Sequence, residues 1–301
     1  MPLPAPHRTL PGVVDVHLVR GAHAVVGAPA DLLIEVPHGA TRTADFDALR
    51  ARLASPLPQS LVDFFHVNTD AGAPELGLAI AREFVALEPA RTAVLLRCRI
   101  PRTFIDCNRR LDASPEEFRA GKVTPGLMPW ITLPDDRALL LGLHEAYLAE
   151  VHAAAAALAP DGKLLLLHSY APRTVDVDVD LDIVSNLRRA YLPEVEPTWP
   201  LRPEVDVIAR DPAGVWLAPQ AVVDALRSEL DVPVADGATY PLHPSTLAFH
   251  HVTARPGRVL CMEVRRDLLA DPFEPFAEMT IGVAKVAHLA PPIARALRRW
   301  W

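Results

Sequence analysis

The chain has no stretch of the ~18 consecutive apolar residues that a membrane-crossing helix needs, so no membrane partner is expected. It has no basic excess either. The net charge is −7 and the pI is near 5.9, which argues against a nucleic-acid partner. Cysteine is scarce: Cys98, Cys107 and Cys261 are the only three. An odd count without CxxC spacing excludes a disulfide framework and a thiolate zinc site, and leaves the role of small buried apolar side chains. No GxSxG occurs, which sets aside the serine hydrolases that carry that elbow. Residues 1–10 hold prolines and a histidine where a secretory signal needs a basic start and an apolar run, so the expected location is cytoplasmic. Internal repeats and low-complexity linkers are lacking, and 1–301 reads as a single domain.

What the chain does have is a set of four short polar motifs, each ending an apolar run. They are Pro37-His38-Gly39, Asp106-Cys107-Asn108-Arg109, His168-Ser169 and Met262-Glu263-Val264-Arg265. The runs before them, 32–36, 92–98, 163–167 and 258–261, read as strands covered on both faces. Helical spacing marks 72–87, through Leu76, Ile80, Phe84 and Leu87, and also 135–158 and 218–230. A first strand is expected at 13–19, paired in a hairpin with 24–26. Residues 61–67 read as strand-like, 115–134 as an ordered loop or lid, and 275–289 as a last helix stopped by Pro291-Pro292. Strands alternating with helices give an α/β fold with a mixed, mostly parallel central sheet between helices. Ligands of such sheets bind beyond the carboxyl ends of the parallel strands, where all four motifs would meet.

The residue types at that rim point to metal-assisted hydrolysis. His38 and His168 end equivalent strands, and neutral imidazole is the preferred nitrogen ligand of zinc. A third ligand should be a carboxylate. Asp70, at the entry of the 72–87 helix, is the choice. Thr69 or Asp70 could also cap that helix, and Asp45, seven residues after His38, is the alternative ligand. Arg102, Asp106, Asn108 and Arg109 form a cluster suited to clamping a carboxylate, with Asp106 orienting an arginine. Glu263 inside an apolar strand is costly unless it is paired or functional, and is placed to act as a base toward a water on the metal. Asp176, Asp178, Asp180 and Asp182 alternate with aliphatics as on a solvated edge strand. One of His243, His250 and His251 could line the pocket. The terminal Arg298-Arg299-Trp300-Trp301 should dock its aromatics on the body of the protein.

The ordered set Pro-His-Gly, Arg-x-x-x-Asp-x-Asn-Arg over 102–109, His-Ser and a C-terminal strand bearing Glu263 resembles the N-formylglutamate amidohydrolase family. The resemblance spans roughly residues 30 to 270. It implies a phosphorylase- or zinc-carboxypeptidase-like fold and one Zn2+ per chain. The implied activity is hydrolysis of the amide of a small N-formyl or N-acyl amino acid, releasing formate and the amino acid. His38 and His168 then match the metal histidines, Asn108-Arg109 the element holding the substrate carboxylate, and Glu263 the base. Arg102 would polarise the scissile carbonyl. Zinc carboxypeptidases carry a glutamate three residues after the first histidine, and here Thr41 stands there, so Asp70 and Asp45 both remain open. A peptidase or amidase acting on a peptide or cell-wall fragment, and a non-catalytic protein binding an amino-acid derivative, are the alternative functions.

Overall fold

The computed structural model describes residues 8–121 and 123–301. Most of the N-terminal segment read as lacking a signal, and Lys122 within the expected lid, lie outside the described residues. The strands are β1 (Val14–Arg20), β2 (Ala30–Val36), β3 (Thr92–Cys98), β4 (Leu158–Tyr170), β5 (Val205–Val207), β6 (Val234–Asp236) and β7 (Val259–Arg265). The helices are α1 (Thr43–Arg50), α2 (Leu61–Asn68), α3 (Ala73–Leu87), α4 (Pro115–Ala120), α5 (Pro134–Ala156), α6 (Ile183–Ala190), α7 (Gln220–Glu229), α8 (Leu247–Ala254) and α9 (Val283–Leu297). Among the described residues the strands form one seven-stranded sheet in the order β1-β3-β2-β4-β7-β5-β6. The central four, β3-β2-β4-β7, are parallel. β1 joins β3 antiparallel, and β5 joins β7 antiparallel. The architecture is the expected α/β one, with a mixed sheet between helices.

Side-chain alternation divides the core into two layers. Leu33, Leu164, Leu166, Val259 and Cys261 face α1, α2, α5, α6 and α8. Leu32, Ile34, Leu165, Leu167, Leu260 and Met262 face α3, α7 and α9. Glu35, His168 and Glu263 continue the first alternation, so all three project from the first face. That places the polar motifs at the carboxyl edge of the parallel strands, on one side of the sheet.

Four local expectations are corrected. Residues 61–67 are helical, because Leu61, Phe64 and Phe65 sit at i, i+3 and i+4 and are buried together. Phe65 packs on Phe46 at 5.3 Å between ring centres, and Phe64 meets the edge of Trp130 at 5.7 Å. Residues 24–26 form no hairpin arm: Val25 and Val26 are exposed, and β1 pairs with β3 instead. Residues 175–180 keep their alternation, aspartates outward and valines half-buried on the first layer, while Leu181 is exposed, and the segment joins no sheet ladder. Finally, α9 starts at Val283 and runs through Pro291 and Pro292. Each proline removes an N–H from the helix ladder. The buried stripe of Val286, Leu289, Ile293 and Leu297 against the second layer outweighs that loss. Beyond α9, Trp301 stacks on Phe84 at 5.3 Å and lies 4.4 Å from the Arg91 guanidinium, so the C-terminal aromatics do dock on the body.

Candidate metal centre and active site

The turn after β2 delivers His38. Gly39 donates its N–H back to the Val36 carbonyl at 3.2 Å. A Cβ on Gly39 would lie 2.7 Å from Arg97 Cγ and 3.0 Å from the Cys98 carbonyl, so only glycine lets the chain fold this close to β3. Asp70 sits on the short link between α2 and α3. Its N–H donates to the His38 carbonyl at 3.3 Å, Thr69 Oγ1 to the Ala40 carbonyl at 2.6 Å, and Ser169 Oγ to the Ala71 carbonyl at 2.9 Å. These bonds tie the link to β2 and β4. The residue that caps α3 is Gly72, at φ 87°, and neither Thr69 nor Asp70 does so. The Asp70 carboxylate is therefore free for the histidines. His168 lies within β4, directly across from Glu263 in β7.

Asp70 Oδ2 is 2.9 Å from His168 Nδ1 and 3.2 Å from His38 Nδ1, and the two Nδ1 atoms are 3.3 Å apart. All three side chains are buried. A tetrahedral ion with bonds of ~2.0–2.2 Å needs ligand atoms roughly 3.3–3.6 Å apart, so two nitrogens and one oxygen here form a face of nearly the required size. These residues could hold a metal ion. Asp45, the alternative ligand, is elsewhere: it pairs with Arg97 at 3.4 Å and with Arg99, Nε at 2.9 Å, and accepts from the Arg42 N–H at the start of α1.

Behind His38 lies a second carboxylate. Asp106 Oδ1 is 2.8 Å from His38 Nε2, and an ionised carboxylate can only accept, so Nε2 donates. This arrangement directs the Nδ1 lone pair toward Asp70 and His168. The same Oδ1 accepts from the Asn108 N–H at 2.8 Å, and Oδ2 accepts from Arg102 Nη2 at 3.0 Å. Burial pushes the Asp106 carboxyl up, but Arg109, His38 and Arg102 together hold it well below the carboxylate range. Burial likewise opposes ionisation of Asp70, and His38 and His168 overcome it. For His38, burial and Arg102 disfavour the cation, while Asp106 and Asp70 raise its pKa above the ordinary histidine value.

Glu263 stands beside this face. Its Oε1 accepts from the Tyr240 hydroxyl at 2.7 Å, and its Oε2 is buried without a partner among the described residues. Burial is the largest influence on its pKa and raises it, with His168 opposing. Arg102 spans Asp106, Thr124 and the Asn68 carbonyl, with Nη1 3.9 Å from Asp70 Oδ1. Asn108 and Arg109 are each held in part by the protein itself. Asn108 Oδ1 accepts from the Ala248 N–H at the start of α8. Arg109 donates to the Thr124 and Asn108 carbonyls and lies 3.4 Å from Asp106.

The remaining candidates fall outside the ligand group. His243 bonds Ser245, His250 bonds the Pro244 carbonyl, and His251 lies 4.0 Å from Glu35. The three cysteines are free and buried. The sequence reading gave no role to Tyr240 or Arg202, which come from irregular segments with no periodicity. The Asp-x-Asn-Arg spacing did draw attention to Asp106, but as an arginine partner and not as the support of His38. A roomy cleft of about 750 Å³ between α3, α9 and residues 278–283 shares no residue with this centre.

No protein-family model matches the chain, and no curated protein matches it by sequence. Solved structures do. The crystal structure of N-formylglutamate amidohydrolase from Ralstonia eutropha JMP134 superposes with a TM-score of 0.57 at 18% identity, covering 96% of this chain and 99% of that one. The gene product Atu2144 from Agrobacterium tumefaciens gives 0.47 at 18%, covering 95% of both chains. A metallo-carboxypeptidase from Burkholderia cenocepacia gives 0.36 at 14%, covering 94% of this chain and 59% of that chain. The chain has the fold of the Ralstonia amidohydrolase.

Proposed function

We propose that this protein, which shares the fold of an N-formylglutamate amidohydrolase, is a zinc-dependent amidohydrolase. It cleaves the amide of an N-formyl or other N-acyl amino acid, such as N-formylglutamate, and releases formate or the acyl acid and the free amino acid. The observation that carries the reading is the convergence of His38 Nδ1, Asp70 Oδ2 and His168 Nδ1 next to an unpartnered Glu263 oxygen. One zinc ion bound by these three residues supplies Lewis-acid polarisation of the amide carbonyl and lowers the pKa of a water toward ~7.

The chain supplies the rest. Glu263 Oε2 takes the proton of the attacking water and returns it to the amide nitrogen as the amine leaves. Burial raises its pKa, which suits the first step, because a more basic carboxylate takes the water proton more readily. Tyr240 holds the other Glu263 oxygen and so fixes the direction of Oε2. Arg102 places positive charge where the carbonyl oxygen gains negative charge. Asp106 keeps His38 in the tautomer that ligates through Nδ1.

The test is elemental mass spectrometry of the purified protein, followed by a substrate panel. About one zinc per chain, lost in His38→Ala and His168→Ala, together with release of formate from N-formyl amino acids, is the expected result. Turnover of N-acyl peptides alone would transfer the site to a peptidase or amidase. Zinc without turnover of either would make this a binding protein.

A further inference from the structure

Four guanidinium groups stand around the centre, and their pairing differs. Arg102 and Arg109 lie 3.0 and 3.4 Å from Asp106. Arg266 is enclosed, and it donates to the Val67 carbonyl at 2.6 Å and the Ser169 carbonyl at 3.2 Å. Arg202 is half-buried and reachable. Its Nε donates to Thr174 Oγ1 at 3.1 Å and its Nη1 to the Ala171 carbonyl at 3.4 Å. Among the described residues no carboxylate lies within ion-pair distance of it, and Nη2 has no partner.

Its position is fixed from two sides. The Arg202 N–H donates to the Pro172 carbonyl at 2.8 Å, and the Thr174 N–H to the Pro200 carbonyl at 2.9 Å, so residues 200–202 are laced to the chain leaving β4. The guanidinium carbon lies 5.0 Å from the centre of the Tyr170 ring. Tyr170 is two residues beyond His168 in β4 and projects from the same face as His168 and Glu263. The Arg202 charge also acts on Glu263 and on Tyr240. A guanidinium stacked on an aromatic ring, without a carboxylate partner and held by the backbone, is prepared for a planar anion that arrives from outside.

We infer that Arg202 reads a carboxylate of the amino-acid substrate. The inference rests on the hydrolase reading for the word substrate, but its test does not need turnover. Asp106 already neutralises Arg109, and the Asn108 amide oxygen anchors α8. Among the described residues Arg202 has no such carboxylate, and its Nη2 is free on the side of the centre where Glu263 stands.

The experiment is calorimetric titration of the zinc-loaded protein with L-glutamate and with its two single amides, L-glutamine and L-isoglutamine. Wild type, Arg202→Gln and Arg202→Lys are compared, with folding checked by circular dichroism. Arg202→Gln should weaken glutamate by at least roughly tenfold, the size of a hydrogen bond to a charged group, while leaving one of the two amides unchanged. That amide lacks the carboxylate which Arg202 reads, and so identifies it. Arg202→Lys should fall between. Equal binding of all three ligands by wild type and Arg202→Gln, an equal loss of all three, or no binding of glutamate to wild type overturns the inference. Formate release from N-formyl-L-glutamate by the wild type is measured separately: selective loss at Arg202 without turnover would refute the hydrolase reading and leave the carboxylate reader standing.

Discussion

Replacing Asp106 with asparagine tests whether the support of His38 is as important as the ligands themselves. Every group that faces the carboxylate arrives as a donor. Oδ1 accepts from His38 Nε2 and the Asn108 N–H, both at 2.8 Å. Oδ2 accepts from Arg102 Nη2 at 3.0 Å and Thr124 Oγ1 at 3.3 Å, with Arg109 Nη2 at 3.4 Å. An asparagine offers one acceptor and one NH2. With the amide oxygen toward His38, the NH2 opposes two guanidinium groups. With the amide turned, the NH2 faces His38 Nε2 and drives the ring proton to Nδ1, the ligating atom. Either way His38 is a poorer ligand. Loss of such an outer partner weakens metal binding ~10–100-fold, or about 1.4–2.7 kcal/mol. The assay is competition for zinc against a chromophoric chelator, with Glu263→Gln as the control that should retain wild-type affinity. A folded Asp106→Asn protein that binds zinc within about twofold of wild type would refute the reasoning.

Three other perturbations follow from the same geometry. Glu263→Gln should abolish turnover while keeping the metal, read by formate release and elemental analysis side by side; retained activity would remove Glu263 as the base. Because Asp106 and Asp70 raise the pKa of His38, protons should compete with zinc as the pH falls through the histidine range. Chelator competition from about pH 8 to pH 5 should show affinity dropping steadily on the acid side, and a flat profile would contradict it. The fourth perturbation concerns Glu35, buried in β2 with Tyr147 donating to Oε1 at 2.9 Å, whose carboxyl burial pushes up to about 7. A folded-state pKa above the unfolded value means its stabilising protonated form is intact in acid and lost as pH rises through about 7. Relative to Glu35→Gln, metal-free wild type should therefore lose about 3 kcal/mol of unfolding free energy between roughly pH 4 and pH 8. Urea titrations at both ends of that range measure it, and parallel curves for the two proteins would rule it out.

Much of the frame was legible because strands buried on both faces are written as continuous apolar runs. Such runs end or change character at His38, His168 and Glu263, which is why these residues stand out. Their grouping on one sheet face follows from the period of two, which sends Glu35, His168 and Glu263 the same way. Asp70 was harder, since an aspartate ahead of a helix reads equally well as a cap; the tie is resolved by Gly72, whose left-handed backbone starts α3 and leaves the carboxylate to the histidines. The segment 61–67 misled because valine and phenylalanine favour strands, while the spacing of Leu61, Phe64 and Phe65 obeys the helix. The double proline misled for a related reason: a local rule gave way to the packing of Leu289, Ile293 and Leu297. Tyr240 and Arg202 could not be found from the sequence. Their positions depend on irregular chain crossing the sheet edge, and nothing in their immediate neighbours encodes that path.

The sheet order has a consequence for how such a site can change over evolutionary time. Across the carboxyl edge, β3, β2, β4 and β7 bring Asp106, His38, His168 and Glu263 in that spatial order. The candidate metal face therefore spans the β2–β4 seam, with Asp70 from the α2–α3 link, while Tyr240 and Arg202 hang on connections outside the central strands. On the proposed reading, exchange of Arg202 and its immediate neighbours alters which acid is recognised while the His-Asp-His face and Tyr240 stay in place, so one scaffold can retain its chemistry while its clientele is replaced.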